Sequence, residues 1–256
     1  MPDAYYDEAA AKKQEKVAQS RDMVRQREVT RDLLALRTGE AVLDVGSGNG
    51  ILAREMVHEV GPTGSVTGVD PAPPMVAMAA RICPQATFLE GGADALPVDS
   101  EQFDVVTASQ VLCFVPDIDA ALAEMRRVLK PSGRVVLLDT DWDSLVWHCR
   151  HPELLARVLA ELKRPYGSSA VPKTLSRRLT DAGFQITGRI VHPIVNWSFS
   201  DDAFSRQMST FLPGDPNVPA DARLDGPRWF QHMAELDAAG EYMFSINRYL
   251  FAAAKV

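Results

Sequence analysis

Ala41–Gly50 reads AVLDVGSGNG, and Ile51–Val60 directly after it reads ILAREMVHEV. The first stretch opens as a run of strand formers, Ala41, Val42, Leu43 and Val45, interrupted by Asp44 and closed by glycines at 46, 48 and 50. The second places apolar residues at 51, 52, 56, 57 and 60, the spacing of one helix face. Strand, glycine turn and helix together form a geometry in which backbone N–H groups at a helix N-terminus face a ligand at close range. Glycine has no Cβ to hold the ligand off. A dinucleotide fingerprint would need G-x-G-x-x-G, with its third glycine at position 51, where Ile51 stands. A tight turn with no ligand is the plainer alternative.

Working outward, Gly64–Asp70 (GSVTGVD) predicts a second strand ending in an acid 24 positions after Gly46. A carboxylate at that strand tip can accept from both hydroxyls of a ribose. Pro71, Pro73 and Pro74 then start a helix whose apolar face carries Met75, Met78 and Ala79. Met75 either lies against a bound ring or packs in the core. Ala86–Glu90 predicts a third strand, followed by GGADALP from Gly91 to Pro97, and Phe103–Ala108 a fourth. Ligands of open α/β sheets sit at the carboxyl ends of the strands, which puts Ser109 and Gln110 at a seam between cofactor and substrate. Asp119–Leu129 is an amphipathic helix. Lys130-Pro131-Ser132-Gly133 turns it into a fifth strand, Arg134–Asp139, with Asp139 and Asp141 expected to face the same crevice or to serve as solvated loop acids and caps.

The pattern D-x-G-x-G-x-G at 44–50 closely resembles motif I of the class I S-adenosylmethionine-dependent methyltransferases. The acid at 70, the GGADALP loop and the KPSG turn, similar to the family's L-K-P-G-G, extend the resemblance over roughly residues 40–140. It implies an α/β fold: a Rossmann-like, seven-stranded mixed sheet with helices on both faces and an antiparallel last strand. It also implies S-adenosylmethionine as cofactor and S-adenosylhomocysteine as product. Gly46, Ser47, Gly48 and Gly50 would hold the methionine portion, Asp44 would order that loop and receive the ammonium, and Asp70, beside Pro71, would hold the ribose. The family usually carries an acid or amide where this chain has Gly92, so Asp94 or the backbone of Ala93 would read the adenine. The nucleic-acid-modifying branches often place N/D-P-P-Y where this chain has SQVL, which argues against base methylation. The motifs look most like the small-molecule branch, resembling ubiquinone/menaquinone-biosynthesis and natural-product methyltransferases.

The remainder of the chain frames that half. Residues 1–40 predict a helical cap, with Ala9–Lys16 and Met23–Leu36 as helices, from which Tyr5, Tyr6, Met23 and Arg27 could reach the site. Residues 41–256 form the methyltransferase domain: a cofactor half at 41–140, substrate-side elements at 141–183 and a lid at 200–240. The lid is inferred from prolines (Pro213, Pro216, Pro219, Pro227) mixed with large apolar groups such as Phe204, Met208, Trp229 and Met233. Strands six and seven are expected at Gln185–Val195 and Tyr242–Lys255. His148, His151 and His232 are the histidines on the substrate side; His148 and His232 are candidate bases, or structural residues. Asp141 is a candidate acceptor contact. Trp142, Trp147, Trp197 and Trp229 suggest an aromatic-lined pocket, or simple core.

Composition narrows the partners. A net charge of −7 disfavours a grip on nucleic acid, and no stretch is long and apolar enough to span a bilayer. Cys83, Cys113 and Cys149 are scattered and unpaired in spacing, which reads as reduced cytoplasmic thiols. No cluster of His and carboxylates has metal-ligand spacing. The expectation is a methyltransferase acting at O, N or C of a small, partly apolar or aromatic metabolite, as a monomer or homodimer. A natural-product cyclase on a cofactor-binding scaffold and a non-catalytic S-adenosylmethionine-binding protein are the alternatives.

Overall fold

The computed structural model describes residues 8–163, 171–212 and 226–256. Two helices, α1 (Glu8–Gln19) and α2 (Arg21–Leu34), precede a sheet of seven strands. The strands are β1 (Ala41–Val45), β2 (Ser65–Asp70), β3 (Thr87–Glu90), β4 (Phe103–Ser109), β5 (Leu129–Trp147), β6 (Phe184–Asn196) and β7 (Phe244–Lys255). Their order is β3-β2-β1-β4-β5-β7-β6. The first five are parallel, and β7 runs antiparallel between β5 and β6, the mixed sheet expected.

Local chemistry sets where the helices start. Prolines 73 and 74, which need no N–H bond in a first turn, open α4 (Pro73–Ile82). Asp117 accepts from the Ala120 N–H and so starts α5 (Ile118–Val128) one residue earlier than its apolar pattern suggests. With α3 (Ile51–Val60), these helices cover a sheet whose central strands are apolar on both faces. One face buries Leu43, Val106, Leu122, Met125, Leu137, Leu175 and Phe251 under α5 and α7 (Val171–Asp181). The other buries Leu34, Val42, Met56, Val105 and Val136 under α2 and α3.

One departure matters for the site. The fifth strand was expected to end at Asp139, yet β5 runs on to Trp147. Its register with β7 breaks between Asp141 and Val146, then resumes as Val146↔Ser245 and Trp147↔Phe244. The partner strand thus sets the length, and pairing at that distance leaves no local pattern. Beyond the crevice, this extension carries a separate core, in which Trp147, Trp229, Phe204, Phe244 and Met233 are buried with Leu154 and Val158 of α6 (Pro152–Lys163). The short α8 (Phe204–Ser209) and α9 (Gly226–Ala238) complete it. At the sheet's outer edge, β6 slips register between Ile186 and Gly188, and carries Arg189, a half-exposed Val191 and Pro193.

Candidate functional site

The strand order reverses between β1 and β4, and the crevice opens at the carboxyl ends of these two strands. Gly46, Gly48 and Gly50 all have positive φ, at 69°, 52° and 76°. A Cβ on Gly46 would lie 2.3 Å from Val111 Cγ2, and one on Gly50 2.9 Å from Ala79 Cβ, so both turns require glycine. Gly48 differs: a Cβ there would meet nothing within 4 Å. It is the open rim of the cradle. The Gly46 and Ser47 N–H groups donate to the Val69 carbonyl at 2.7 and 3.1 Å, which ties the loop to the tip of β2.

Two carboxylates back this loop. Asp70 Oδ2 accepts from the Gly48 N–H at 2.9 Å and Oδ1 from the Ala72 N–H at 3.0 Å. Asp44 is buried, and its Oδ2 has no hydrogen-bond partner; neither has the buried Ser47 Oγ. Burial, reinforced by the charge of Asp70, pushes the Asp44 carboxyl up to about 8, and burial raises that of Asp70 as well. A cradle of this kind leaves polar atoms unsatisfied, and its Asp44 carboxyl ionises most readily against a positive charge. It suits a cationic ligand.

The other expected cofactor contacts fall around the same edge. Pro71 is exposed beside Asp70, while Met75 is buried against Ala72 and Met78, the core alternative for that side chain. Asp94 folds back over Gly92, its Oδ1 2.6 Å from where a Cβ on Gly92 would stand, and Ala93 lies between them. The Asp94 carboxylate thus occupies the space beside Gly92. Ser109 ends β4 half-buried, and Gln110 turns toward β5, its Oε1 accepting from Thr140 Oγ1 at 2.7 Å.

The acceptor-side candidates are dispersed. Tyr5 and Tyr6 lie outside the described residues, as do Pro213, Pro216 and Pro219 of the expected lid. Met23 is buried on α2 in the crevice's far core, whereas Arg27 is turned away: its Nε donates to Glu55 of α3 at 2.9 Å. Asp139 takes the capping alternative. It is buried, accepting from the Cys113 and Thr140 N–H groups at 3.3 and 3.2 Å, and burial raises its carboxyl to about 6. Asp141 pairs with Lys173 at 3.3 Å.

The histidines and tryptophans take the structural alternative. The Asp139↔Tyr249 and Trp147↔Phe244 pairs place Trp147 about 17 Å beyond the strand tip, at roughly 3.4 Å per residue of β7. His148 follows one residue later, 3.8 Å from Glu241. His232 is buried on α9, its Nε2 accepting from the Arg150 N–H at 3.2 Å and its ring 4.6 Å from that of His151. Burial and the neighbouring His151 lower its pKa. That lone pair joins α9 to the end of β5. Trp147 packs edge-on against Trp229 and Phe244, each at 4.8 Å, and Trp229 Nε1 donates to Ser209 Oγ at 3.0 Å. Trp142 is buried in the same core, and Trp197 stands 70% exposed, so the four do not form one pocket wall.

Sequence reading missed two polar groups that tie α2 to the acceptor-side core. Arg248 of β7, directly opposite Thr140, is buried; its Nη1 donates to Gln26 Oε1 and to Met23 Sδ (3.4 Å), and its guanidinium lies 4.8 Å over Phe204. Asp22 Oδ2 accepts from the Phe204 N–H and from Asn196 Nδ2, both at 2.8 Å. An arginine in the middle of an apolar strand was the only available signal for the first; the second had none. Among the described residues, no group of three or more His, Cys, Asp or Glu could hold a metal ion, and no helix is long and apolar enough to cross a membrane.

Residues 43–137 match the family model described as a methyltransferase domain. The chain is 31% identical over 239 residues to an uncharacterized 37.1 kDa protein in transposon TN4556 of Streptomyces fradiae, covering 87% of this chain and 64% of that protein. It is 40% identical over 113 residues to demethylmenaquinone methyltransferase of Lactococcus lactis, across 42% of this chain and 45% of the relative. The chain thus spans about half to two thirds of the length of these curated relatives. Among solved structures, phosphoethanolamine N-methyltransferase 2 of Haemonchus contortus, in complex with phosphomonomethylethanolamine and S-adenosylhomocysteine, superposes with a TM-score of 0.65. The match covers 99% of this chain and 58% of that one at 19% identity, which establishes the fold.

Proposed function

We propose that this chain, whose residues 43–137 match the methyltransferase-domain model, moves the methyl group of S-adenosylmethionine to a small, partly apolar or aromatic metabolite. The observation that carries this reading is the pair of buried carboxylates, Asp44 and Asp70, set behind a glycine cradle. An unpartnered Asp44 Oδ2 and Ser47 Oγ fit the ammonium end of a cationic nucleoside, and Asp70 fits its ribose.

In this reading Gly46, Ser47, Gly48 and Gly50 hold the methionine portion, and Asp94 folded over Gly92, with the Ala93 backbone, reads the adenine. The bound cofactor supplies an electrophilic methyl on a sulfonium, whose positive charge is lost as the methyl leaves. The chain's own task is alignment and exclusion of water. Val111 packed on Gly46 and α2 over the ends of β5 and β7 serve that purpose. The neighbour named demethylmenaquinone methyltransferase supports a small-molecule acceptor. The free thiols Cys83, Cys113 and Cys149 accord with a cytoplasmic setting, as monomer or homodimer.

Calorimetric titration with S-adenosylhomocysteine tests the cofactor half of the proposal; binding is expected, and its absence would end the reading. Incubation with methyl-labelled S-adenosylmethionine and a metabolite extract tests the transfer. A labelled product is expected, whereas product without label would point to the cyclase.

A further inference from the structure

Gln110 carries two costs at once. Its φ is +63°, a conformation that a residue with a Cβ rarely adopts. Its side-chain Nε2 is buried with no hydrogen-bond partner. The rest of the residue is firmly held. Its main-chain N–H donates to the Leu138 carbonyl at 2.8 Å, and its Oε1 accepts from Thr140 Oγ1 at 2.7 Å. Both bonds go to β5, so the amide is fixed with its donor end left over. This happens next to Val111, the residue packed on Gly46, at the point where the strand order reverses.

A buried cation stands nearby. Arg248 stands across the ladder from Thr140, immobilised by Gln26, Met23 and Phe204. The carboxylates of the same stretch each hold partners of their own: Asp139 accepts from the Cys113 and Thr140 N–H groups, Asp141 pairs with Lys173, and Asp22 accepts from Phe204 and Asn196. An oriented N–H donor beside a buried cation stabilises negative charge on a ligand oxygen.

We infer that Gln110 binds the methyl acceptor, its Nε2 donating to an ionised hydroxyl oxygen of a planar phenol or enol, with Thr140 as the positioning residue that aims the amide. The inference rests on the methyl-transfer reading and reassigns Gln110 from the cofactor to the acceptor. The hydroxyl loses its proton to solvent on binding. An oxygen lone pair then forms the bond to the methyl carbon as the carbon–sulfur bond breaks, and that electron pair stays on sulfur as a neutral thioether. The acceptor is ionised before the methyl moves, so the step needs no base at the positions of His148 and His232.

The complex with S-adenosylhomocysteine is titrated with 4-nitrophenol and 4-nitrocatechol, whose visible absorbance reports ionisation, and with the methyl ether 4-nitroanisole. Both phenols should bind as phenolates, with the ether about tenfold weaker, equivalent to one charge-assisted hydrogen bond. Gln110→Leu should abolish that preference and Thr140→Val reduce it, while affinity for S-adenosylhomocysteine stays within about threefold. Gln110→Glu, nearly the same shape, should reverse the preference. Binding of the neutral phenol, equal affinity for phenol and ether, unchanged discrimination in Gln110→Leu, or no binding of any probe would overturn the inference. Failure of the wild-type protein to bind S-adenosylhomocysteine would instead overturn the methyl-transfer reading beneath it.

Discussion

The cofactor edge and the acceptor-side core are built by opposite means. At the cofactor edge, ten consecutive residues, Ala41–Gly50, make strand, turn and helix start, and leave polar atoms of Asp44 and Ser47 without partners. Beyond the crevice, segments near residues 23, 147, 204, 229 and 244 converge on one aromatic core, where Trp229 bonds across elements to Ser209 and Tyr242 to Ser205. One region keeps two oxygens at a glycine loop open to a ligand; the other joins distant segments of the chain.

If the two are separable, removing the centre of the aromatic core should damage one and spare the other. Trp229→Ala deletes a side chain that is fully buried between Trp147 and Ser209. It should cost about 3–5 kcal/mol of unfolding free energy in urea. Cofactor affinity, measured on the fraction still folded, should change less than about threefold. A loss of both together would mean a single cooperative unit.

Asp44→Asn probes the other region and should act with the reverse sign on stability. Removing a buried carboxyl should leave the melting temperature unchanged or raise it, while weakening S-adenosylhomocysteine about 10- to 100-fold, or about 1.4–2.7 kcal/mol. Calorimetry and a thermal melt on one preparation decide it.

The pH dependence sharpens the same point. The folded Asp44 carboxyl, at about 8, lies above its ordinary 3.8, so the native state holds a proton there that the unfolded chain has released. That contribution to stability is complete below the unfolded value and is lost as pH rises toward 8, at up to about 1.4 kcal/mol per pH unit. A cationic ligand favours the ionised form, so binding should release a proton and strengthen up to about tenfold per unit over this window. Titrations in buffers of different ionisation enthalpy count that proton; Asp44→Asn should show none.

The smallest effect concerns the seam between the two regions. Asp22 on α2 caps the Phe204 N–H at the start of α8, whose own preceding residue, Ala203, offers no side-chain oxygen. Asp22→Ala should cost about 1 kcal/mol and speed amide exchange in residues 204–209, leaving β1 and α3 protected.

How much could be read in advance follows this division. The glycine turn, the acid at the tip of β2, the starts of α3 and α4 and the places of the first four strands along the chain were legible because each follows from contacts within a few residues. The antiparallel last strand came from resemblance rather than from pattern. The acceptor side misled in particular ways. His148 and His232 looked available as bases, yet one lies beyond the end of a strand that outran its apolar pattern, and the other accepts from Arg150. Trp147 and Trp229 looked like pocket walls and are packed on each other, and Arg27 turned to Glu55. Each of these outcomes was decided by a partner far away in sequence.

The outer strand β6 has a bearing on how this protein behaves in a crowded solution. A proline that sits in a strand without breaking its pairing to β7 turns its missing donor outward, so Pro193 leaves a gap in the row of groups that a stray chain would need for docking. The slipped register at Gly188 and the charge of Arg189 interrupt that row again. Half-bare valines at 191 and 195 can therefore stand on an open border without seeding fibrous or amorphous deposits.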